Sequence, residues 1–166
     1  MQNLRHLLAK DNFISEIKLN LPFLMTLDLS ENKFRRFPLL NDLVNLNHLN
    51  LNSNDIENFK PDFKGLSCLT LKSLDIGQNQ ISFPTGQDFF DDFLGRIKKL
   101  KNLKVLVVSD NPFVKGHMGG GGGHSDDRTL DQIVAQLPAL ELINGESAAY
   151  YRKMQAQMQK EGAGLK

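Results

Sequence analysis

The chain has 166 residues, of which 40% are hydrophobic and 23% are charged, and its formal net charge is +1 at pH 7. This length corresponds to one domain, and the near-neutral charge argues against bulk nucleic-acid binding, which favours strongly basic domains. No apolar run approaches the roughly 18 residues of a membrane-spanning helix, and the N-terminus does not resemble a signal peptide. The single cysteine, Cys68, cannot form an internal disulfide, which favours an intracellular location.

One eleven-position pattern recurs along the chain, with aliphatic residues at positions one, four and six, asparagine at position nine and an apolar residue at position eleven. The first residues of successive copies are 20, 22, 25 and 32 positions apart, and the first three spacings lie in the range of leucine-rich repeats. The first copy is the weakest because Ala9 occupies position six. The copies begin at Leu4, Leu24, Leu46, Leu71 and Leu103, and their asparagines are Asn12, Asn32, Asn54, Asn79 and Asn111.

The pattern also predicts how the repeats pack. Alternate residues of a strand face opposite sides, so positions four and six enter one core while positions three and five face away from it. The asparagine stands where the chain leaves the strand, and its amide can bond backbone groups that lack a ladder partner. Because one repeat cannot bury its own apolar face, neighbours must stack. We therefore predict an α/β leucine-rich repeat solenoid with a parallel concave sheet and a convex side of 3₁₀ and helical turns.

Two features of the array depart from a regular repeat. Only three residues precede Leu4, too few for the polar cap that the end of a solenoid needs, so either the chain belongs to a longer protein or another surface covers this end. The fourth spacing contains apolar residues at helical intervals, including Phe93 and Ile97. They predict an amphipathic helix from about Asp88 to Lys101 whose apolar face belongs to the core.

A run of five glycines interrupts the pattern after Phe113 and predicts a disordered loop over residues 115–128. Whether this loop is natural or an artificial join stays open. A phosphate-binding role is not supported, because neither the GxxxxGK[ST] spacing nor a strand–loop–helix frame is present. His117, His124, Asp126 and Asp127 are metal-ligand types, but on a flexible loop nothing would orient them, and we expect no metal site.

The repeat register returns near the C-terminus, where Leu140 and Ile143 fit positions one and four. Asn144 and Gly145 are then expected to turn the chain out of the last strand. These residues predict a C-terminal cap over residues 130–159 that completes a single domain of residues 1–159. The remaining tail, 160–166, is expected to fray.

The segments NPF at 111–113, LPALELING at 137–145 and YYRK at 150–153 resemble the C-terminal cap of intracellular leucine-rich repeat proteins. That group includes the phosphatase-1 regulatory repeat subunit, the axonemal dynein repeat light chain, the spliceosomal U2 A-prime protein and tubulin-folding cofactor E. The cap usually has Asp-Gly where this chain has Asn144-Gly145, and the glycine-rich insertion departs from it further. The resemblance implies a protein-binding concave sheet, no enzymatic activity and a cytoplasmic, nuclear or ciliary location.

Stacked strands would place positions three, five, seven and eight on the concave face. Five carboxylates and one lysine fall there, which predicts a mildly acidic surface that orients a basic or helical segment of a partner protein. Val105 and Val107 form an apolar patch that either anchors the partner or is covered by the cap or the glycine loop. The expected contact residues are His6, Thr26, Asp28, Ser30, Glu31, His48, Asn50, Asn52, Ser73, Asp75, Val105 and Val107.

The same face offers little for catalysis. Asp28 and Asp75 would lie about 10 Å apart across two strand spacings, which is wide for paired carboxylates. An open sheet also provides no burial that would separate their pKa values, and His6 and His48 lack a third metal ligand. We therefore predict a monomeric, non-enzymatic interaction module without cofactor or metal, working within a complex.

Two alternatives remain open at this point. The first is a component of an RNA–protein assembly, with the basic run Arg96–Lys101 touching RNA, although this run lacks the interleaved aromatic residues that stack on bases. The second is the recognition subunit of a larger enzyme or of a cytoskeletal or ciliary complex.

Overall fold

The structure is a computed structural model that describes residues 3–59, 70–83, 87–115 and 127–163. Cys68, the central part of the predicted glycine-rich loop, and His117, His124 and Asp126 within it, lie outside the described residues. In chain order the elements are β1 (His6–Leu8), β2 (Thr26–Asp28), β3 (His48–Asn50), β4 (Ser73–Asp75), α1 (Gln87–Ile97), β5 (Val105–Val107), α2 (Pro112–Lys115), α3 (Asp127–Gln136), β6 (Leu142–Ile143), β7 (Glu146–Ser147) and α4 (Ala148–Ala163).

The strands form one sheet in the order β1 to β7. Neighbouring strands from β1 to β6 run parallel, and β7 pairs antiparallel with β6. The register aligns the same position of successive repeats, so that Leu27 pairs with Leu49 and Leu74 pairs with Leu106. The predicted α/β leucine-rich repeat solenoid with a parallel sheet is therefore confirmed.

The aliphatic residues at positions one, four and six form the core on one side of this sheet. From the second repeat to the fifth, none of them is more than 2% exposed. Leu4, Leu7 and Ala9 of the first repeat are half-buried, because β1 has a neighbouring strand on one side only among the described residues. The pattern of burial follows the pattern of the sequence, as alternation along a strand requires.

Helix α1 fills the long fourth spacing with aromatic residues. The Phe93 ring lies 5.1 Å from Phe59, 5.4 Å from Phe83 and 5.2 Å from Phe113 between centroids, and Phe93 is 1% exposed. The helix ends at Ile97, short of the predicted Lys101, because i→i+3 bonds tighten the chain there, one of them from the Leu100 amide to the Ile97 carbonyl. This tightening turns Leu100 into the core, where it is fully buried.

The asparagine at position nine links each repeat to the one before it. The Oδ1 of Asn79 accepts the Ile56 amide at 3.0 Å, and its Nδ2 donates to the Leu51 carbonyl at 2.9 Å, both in the preceding repeat. The same Nδ2 donates to the carbonyls of Ile76 and Gly77 in its own turn. The equivalent bonds are made by Asn32, Asn54 and Asn111.

At the C-terminal end of the array, the short strands β6 and β7 lie between helices α3 and α4 in the chain. Asn144 (φ 50°) and Gly145 (φ 84°) reverse the chain between β6 and β7, and α4 then packs against α3. The predicted loop of 115–128 is too long at both ends, because Lys115 completes the turn that Pro112 starts and α3 begins at Asp127. The predicted tail of 160–166 is also too long, since α4 continues to Ala163 despite the low helix propensity of Gly162.

We expect Asn79→Ala to lower the free energy of unfolding by about 2 kcal/mol. The substitution leaves the buried Ile56 amide without its acceptor and removes one of two donors from the Leu51 carbonyl. Urea unfolding followed by circular dichroism measures this change. The matched control is Asn12→Ala: Asn12 is exposed and donates only to Ala9 and Lys10 of its own turn, so its loss should cost under about 1 kcal/mol. Equal losses for the two variants would contradict the role of the inter-repeat bonds.

Candidate functional site

The face of the sheet opposite the leucine core, here called the open face, carries positions three, five, seven and eight of each repeat. Strand register aligns the Cα atoms of these positions into rows. The position-three row is His6, Thr26, His48, Ser73, Val105 and Leu142, and the position-five row is Leu8, Asp28, Asn50, Asp75 and Val107.

The twelve predicted contact residues differ in exposure. His6, Glu31 and His48 are exposed, and eight others are half-buried. Ser30 is only 4% exposed, since its hydroxyl turns back and donates to Asp28 Oδ1 at 2.6 Å. The side chain of Ser30 therefore supports Asp28 and has little surface of its own for a partner.

The three polar residues of the position-five row share one local geometry. The Oδ1 atom of each accepts the backbone amide two residues further on, at 2.9 Å for Asp28, 3.0 Å for Asn50 and 2.9 Å for Asp75. These bonds fix the side chains as the chain turns out of the strand. Oδ2 of Asp28 and of Asp75 accepts no hydrogen bond from the described residues, so each aspartate keeps one oxygen for a partner.

A second network joins the third and fourth repeats on the open face. Asn52 Nδ2 donates to Asp75 Oδ1 at 3.0 Å, and the Ser53 hydroxyl contacts Asn52 Oδ1 at 2.6 Å and Gln78 Oε1 at 2.8 Å. Gly77 makes room for this network, because a Cβ atom there would lie 2.9 Å from Asn52 Nδ2. Side-chain hydrogen bonds thus join the third and fourth repeats across the open face.

The open face carries five carboxylates, which belong to Asp11, Asp28, Glu31, Asp75 and Asp110 and differ in their partners. Lys10 Nζ lies 3.0 Å from Glu31 Oε1, so this carboxylate is paired with the lysine that the sequence places on the same face. The hydrogen bond to Glu31 and then its negative charge raise the pKa of Lys10. Asp28 and Asp75 accept their hydrogen bonds from neutral groups, and neither forms an ion pair with any described residue.

Both ends of the position-five row are apolar. Leu8 is 71% exposed at the first strand, a residue that shares the row but that the sequence analysis did not count among the contact residues. At the other end Val105 and Val107 are half-buried, and β6 extends their patch by placing Leu142, 40% exposed, beside Val105. The cap therefore lengthens the valine patch. The glycine-rich loop, which was also predicted as a possible cover for the valines, lies mostly outside the described residues.

The described residues contain no group of three or more His, Cys, Asp or Glu side chains that could hold a metal ion. His6 and His48 occupy one row with Thr26 between them. No helix in the described part of the chain is long and apolar enough to cross a membrane.

Comparison with known proteins adds evidence on the fold. No family model matches the chain, and no curated protein matches it in sequence. Among solved structures, the chain is similar to one in the crystal structure of the Drosophila melanogaster SNF/U2A' complex, with a TM-score of 0.61 and 17% sequence identity. The match covers 94% of this chain and 87% of that chain. U2A' is a leucine-rich repeat protein, and the likeness agrees with the solenoid described above.

We expect Gly77→Ala to break the Asn52–Asp75 hydrogen bond while the fold persists. The added Cβ would meet the end of a flexible side chain, which can turn away, so the loss of stability should be about 1 kcal/mol. NMR of the Asn52 side-chain amide measures the change. The control is Gly95→Ala in α1, where a Cβ meets nothing within 4 Å; an undisturbed Asn52 signal in Gly77→Ala would contradict this packing.

The Lys10–Glu31 pair makes a prediction about pH. The raised pKa of Lys10 means that folding favours the protonated amine, so its contribution is complete below the unfolded pKa and is lost as pH rises through the folded pKa. The pair therefore adds no pH dependence near neutrality. In an NMR titration, Lys10 should titrate at lower pH in Glu31→Gln than in the wild type, while the exposed Glu16→Gln should leave it unchanged. Identical Lys10 titrations in all three proteins would refute the pairing.

Proposed function

We propose that the chain is a non-enzymatic protein-interaction module that docks a basic segment of a partner protein on the open face. The observation that carries this proposal is the position-five row. Two aspartates, each with one unused oxygen, flank Asn50, and the row ends in exposed Leu8 and half-buried Val107. A matching partner carries two cations between two apolar side chains.

The aspartates are held in place before a partner arrives. Their hydrogen bonds to the amides of Ser30 and Gly77 fix the side chains, so little conformational entropy is lost when a cation binds. The carboxylates stay at the surface, where charge complementarity contributes more to the rate and orientation of docking than to affinity. Leu8 and Val107 then supply the apolar contact at each end.

The dimensions of the row suit a helical segment. Five strands at a spacing of about 4.8 Å span about 19 Å, which a helix covers with roughly 13 residues at 1.5 Å each. The two aspartates are two strand spacings apart, about 10 Å, which matches cations roughly seven residues apart on one helix face. The proposed partner segment is therefore an amphipathic helix with two Lys or Arg residues two turns apart.

The similar solved structure comes from a complex of two named proteins, and this supports an assembly role for the present chain. We infer that the chain acts as an intracellular monomeric module within a complex, in line with its single cysteine. The alternative, a component of an RNA–protein assembly, would use the exposed Lys98, Lys99 and Lys101. RNA binding by these lysines should be salt-dependent and independent of the open face.

The test removes two charges and leaves the hydrogen bonds in place. The double variant Asp28→Asn, Asp75→Asn keeps an Oδ1 acceptor at both sites, as native Asn50 does in the same row. Proteins captured by the wild type from native cell extract are identified by mass spectrometry, and the main one is titrated in purified form. We expect its affinity to fall about ten- to thirtyfold in the double variant, with a smaller difference at high salt.

The matched control is Asp55→Asn with Glu57→Gln, which removes two exposed carboxylates at positions ten and twelve, away from the open face. This control should keep wild-type affinity. Equal affinity of all three proteins for the partner would overturn the open-face proposal. RNA affinity that all three proteins share would favour the RNA–protein alternative.

A further inference from the structure

Away from the sheet, a second ladder of backbone hydrogen bonds joins the segments that return from one strand to the next. Between the second and third repeats, the Asp55 amide donates to the Phe34 carbonyl at 3.0 Å and the Glu57 amide donates to the Arg35 carbonyl at 3.2 Å. Arg36 and Asn58 continue this ladder as a parallel bridge. The same arrangement joins the third and fourth repeats. There the Gln80 amide donates to the Ile56 carbonyl and the Ser82 amide donates to the Glu57 carbonyl.

The ladder opens between the first and second repeats. The Lys33 amide donates to the Ile14 carbonyl at 2.9 Å, but the next bond, from Arg35 to Ser15, is not formed. Within the part of the chain that the structure describes, residues 15–20 make no hydrogen bond. The first spacing has 20 residues and the second has 22, so the shorter segment separates from its neighbour beyond Ser15.

This separation creates a groove of about 1050 Å³ between residues 15–19 and the segment after Phe34, here called the return groove. Its apolar lining includes half-buried Ile17 and Leu19 on one side and buried Phe34 and Phe37 on the other. Leu39 also lines the groove and is 63% exposed. The volume is close to that of a typical ligand site, and Leu39 is the most exposed residue of its apolar lining.

The charges lining the return groove balance. Glu16 and Asp42 are opposed by Lys18 and Arg36, and no ion pair joins any of them among the described residues. A ligand with a strong net charge would be attracted by the two residues of opposite charge and repelled by the two of like charge. The groove therefore differs from the open face, where the two unpaired aspartates favour a basic partner.

We propose that the return groove binds an extended peptide of low net charge, which adds a strand beside residues 15–19 and places an apolar side chain against Ile17 and Leu39. The unfilled ladder is the reason for choosing an extended main chain. Ser15 corresponds to Arg35, whose carbonyl accepts an amide of the next repeat, whereas the Ser15 carbonyl and the Ile17 amide make no hydrogen bond among the described residues. A peptide that adds a strand forms hydrogen bonds with unpaired backbone groups of this kind. Pockets beside the added strand then select alternate side chains of the peptide.

The size of the groove sets the length of the peptide. Five residues from Ser15 to Leu19 span about 17 Å as extended chain, so the peptide should make contact over about five residues. The site lies on returning segments and not on the open face, so it is a second docking site beyond the proposed function. The two sites should be occupied independently.

The experiment selects a phage-displayed library of random twelve-residue peptides on the wild-type chain. Enriched peptides are synthesised and titrated against four proteins: the wild type, Leu39→Glu, Val44→Glu and the double variant Asp28→Asn, Asp75→Asn. Leu39 and Val44 are both exposed aliphatic residues, but only Leu39 lines the groove, so Val44→Glu controls for the added charge. Hydrogen exchange of the wild type is measured with and without peptide.

We expect enriched peptides to share an apolar residue and a low net charge, and to bind Leu39→Glu at least about tenfold more weakly than the other three proteins. Their affinity should change little with salt. The amides of Ile17 and Leu19 should exchange rapidly in the free chain and slowly in the complex. The proposal is overturned if no peptide prefers the wild type over Leu39→Glu, or if bound peptides protect only the open-face strands.

Discussion

The buried carboxamide at position nine is the group on which the stack depends. Strands β1 to β5 contain three residues each and β6 contains two, so the sheet ladder alone offers few bonds between repeats. Asn32, Asn54, Asn79 and Asn111 are buried, and each adds a donor and an acceptor across the repeat boundary. Asn144 makes similar bonds to the preceding repeat at the end of the sheet. Its Oδ1 accepts hydrogen bonds from the amides of Val108 and Ser109.

The same constraint shapes the open face. Because the asparagine holds the chain as it leaves each strand, position eight adopts a positive φ of 50–58° in all five repeats. The chain then turns at a fixed place, and the amide at position seven comes within reach of the side chain at position five. Aspartate or asparagine at position five is therefore oriented by the fold itself. The same turn thus buries the amide at position nine and orients the side chain at position five.

The repeat register, the buried leucines and the rows of the open face were predictable from the sequence, because each follows from strand alternation and a repeated asparagine. The burial of Ser30 was not, since it depends on a bond between two side chains of one turn. The pattern also places Leu8 at position five of this face, although Leu8 was not among the predicted contact residues. Whether the twelve contact residues bind a partner remains a prediction.

The spacing between repeats explains features that the strand pattern cannot. The strands of the five repeats, β1 to β5, follow one template, but the segments that connect them differ in length. Two of these lengths change the structure of the convex side. The 32-residue spacing admits α1 and the aromatic cluster around Phe93, whereas the 20-residue spacing cannot follow its neighbour and leaves the return groove. In a stack where stability is a sum over neighbouring repeats, one open boundary lowers the stability of that boundary alone. The array can therefore retain an unfilled ladder beside its first repeat while side-chain hydrogen bonds join the third and fourth repeats across the open face.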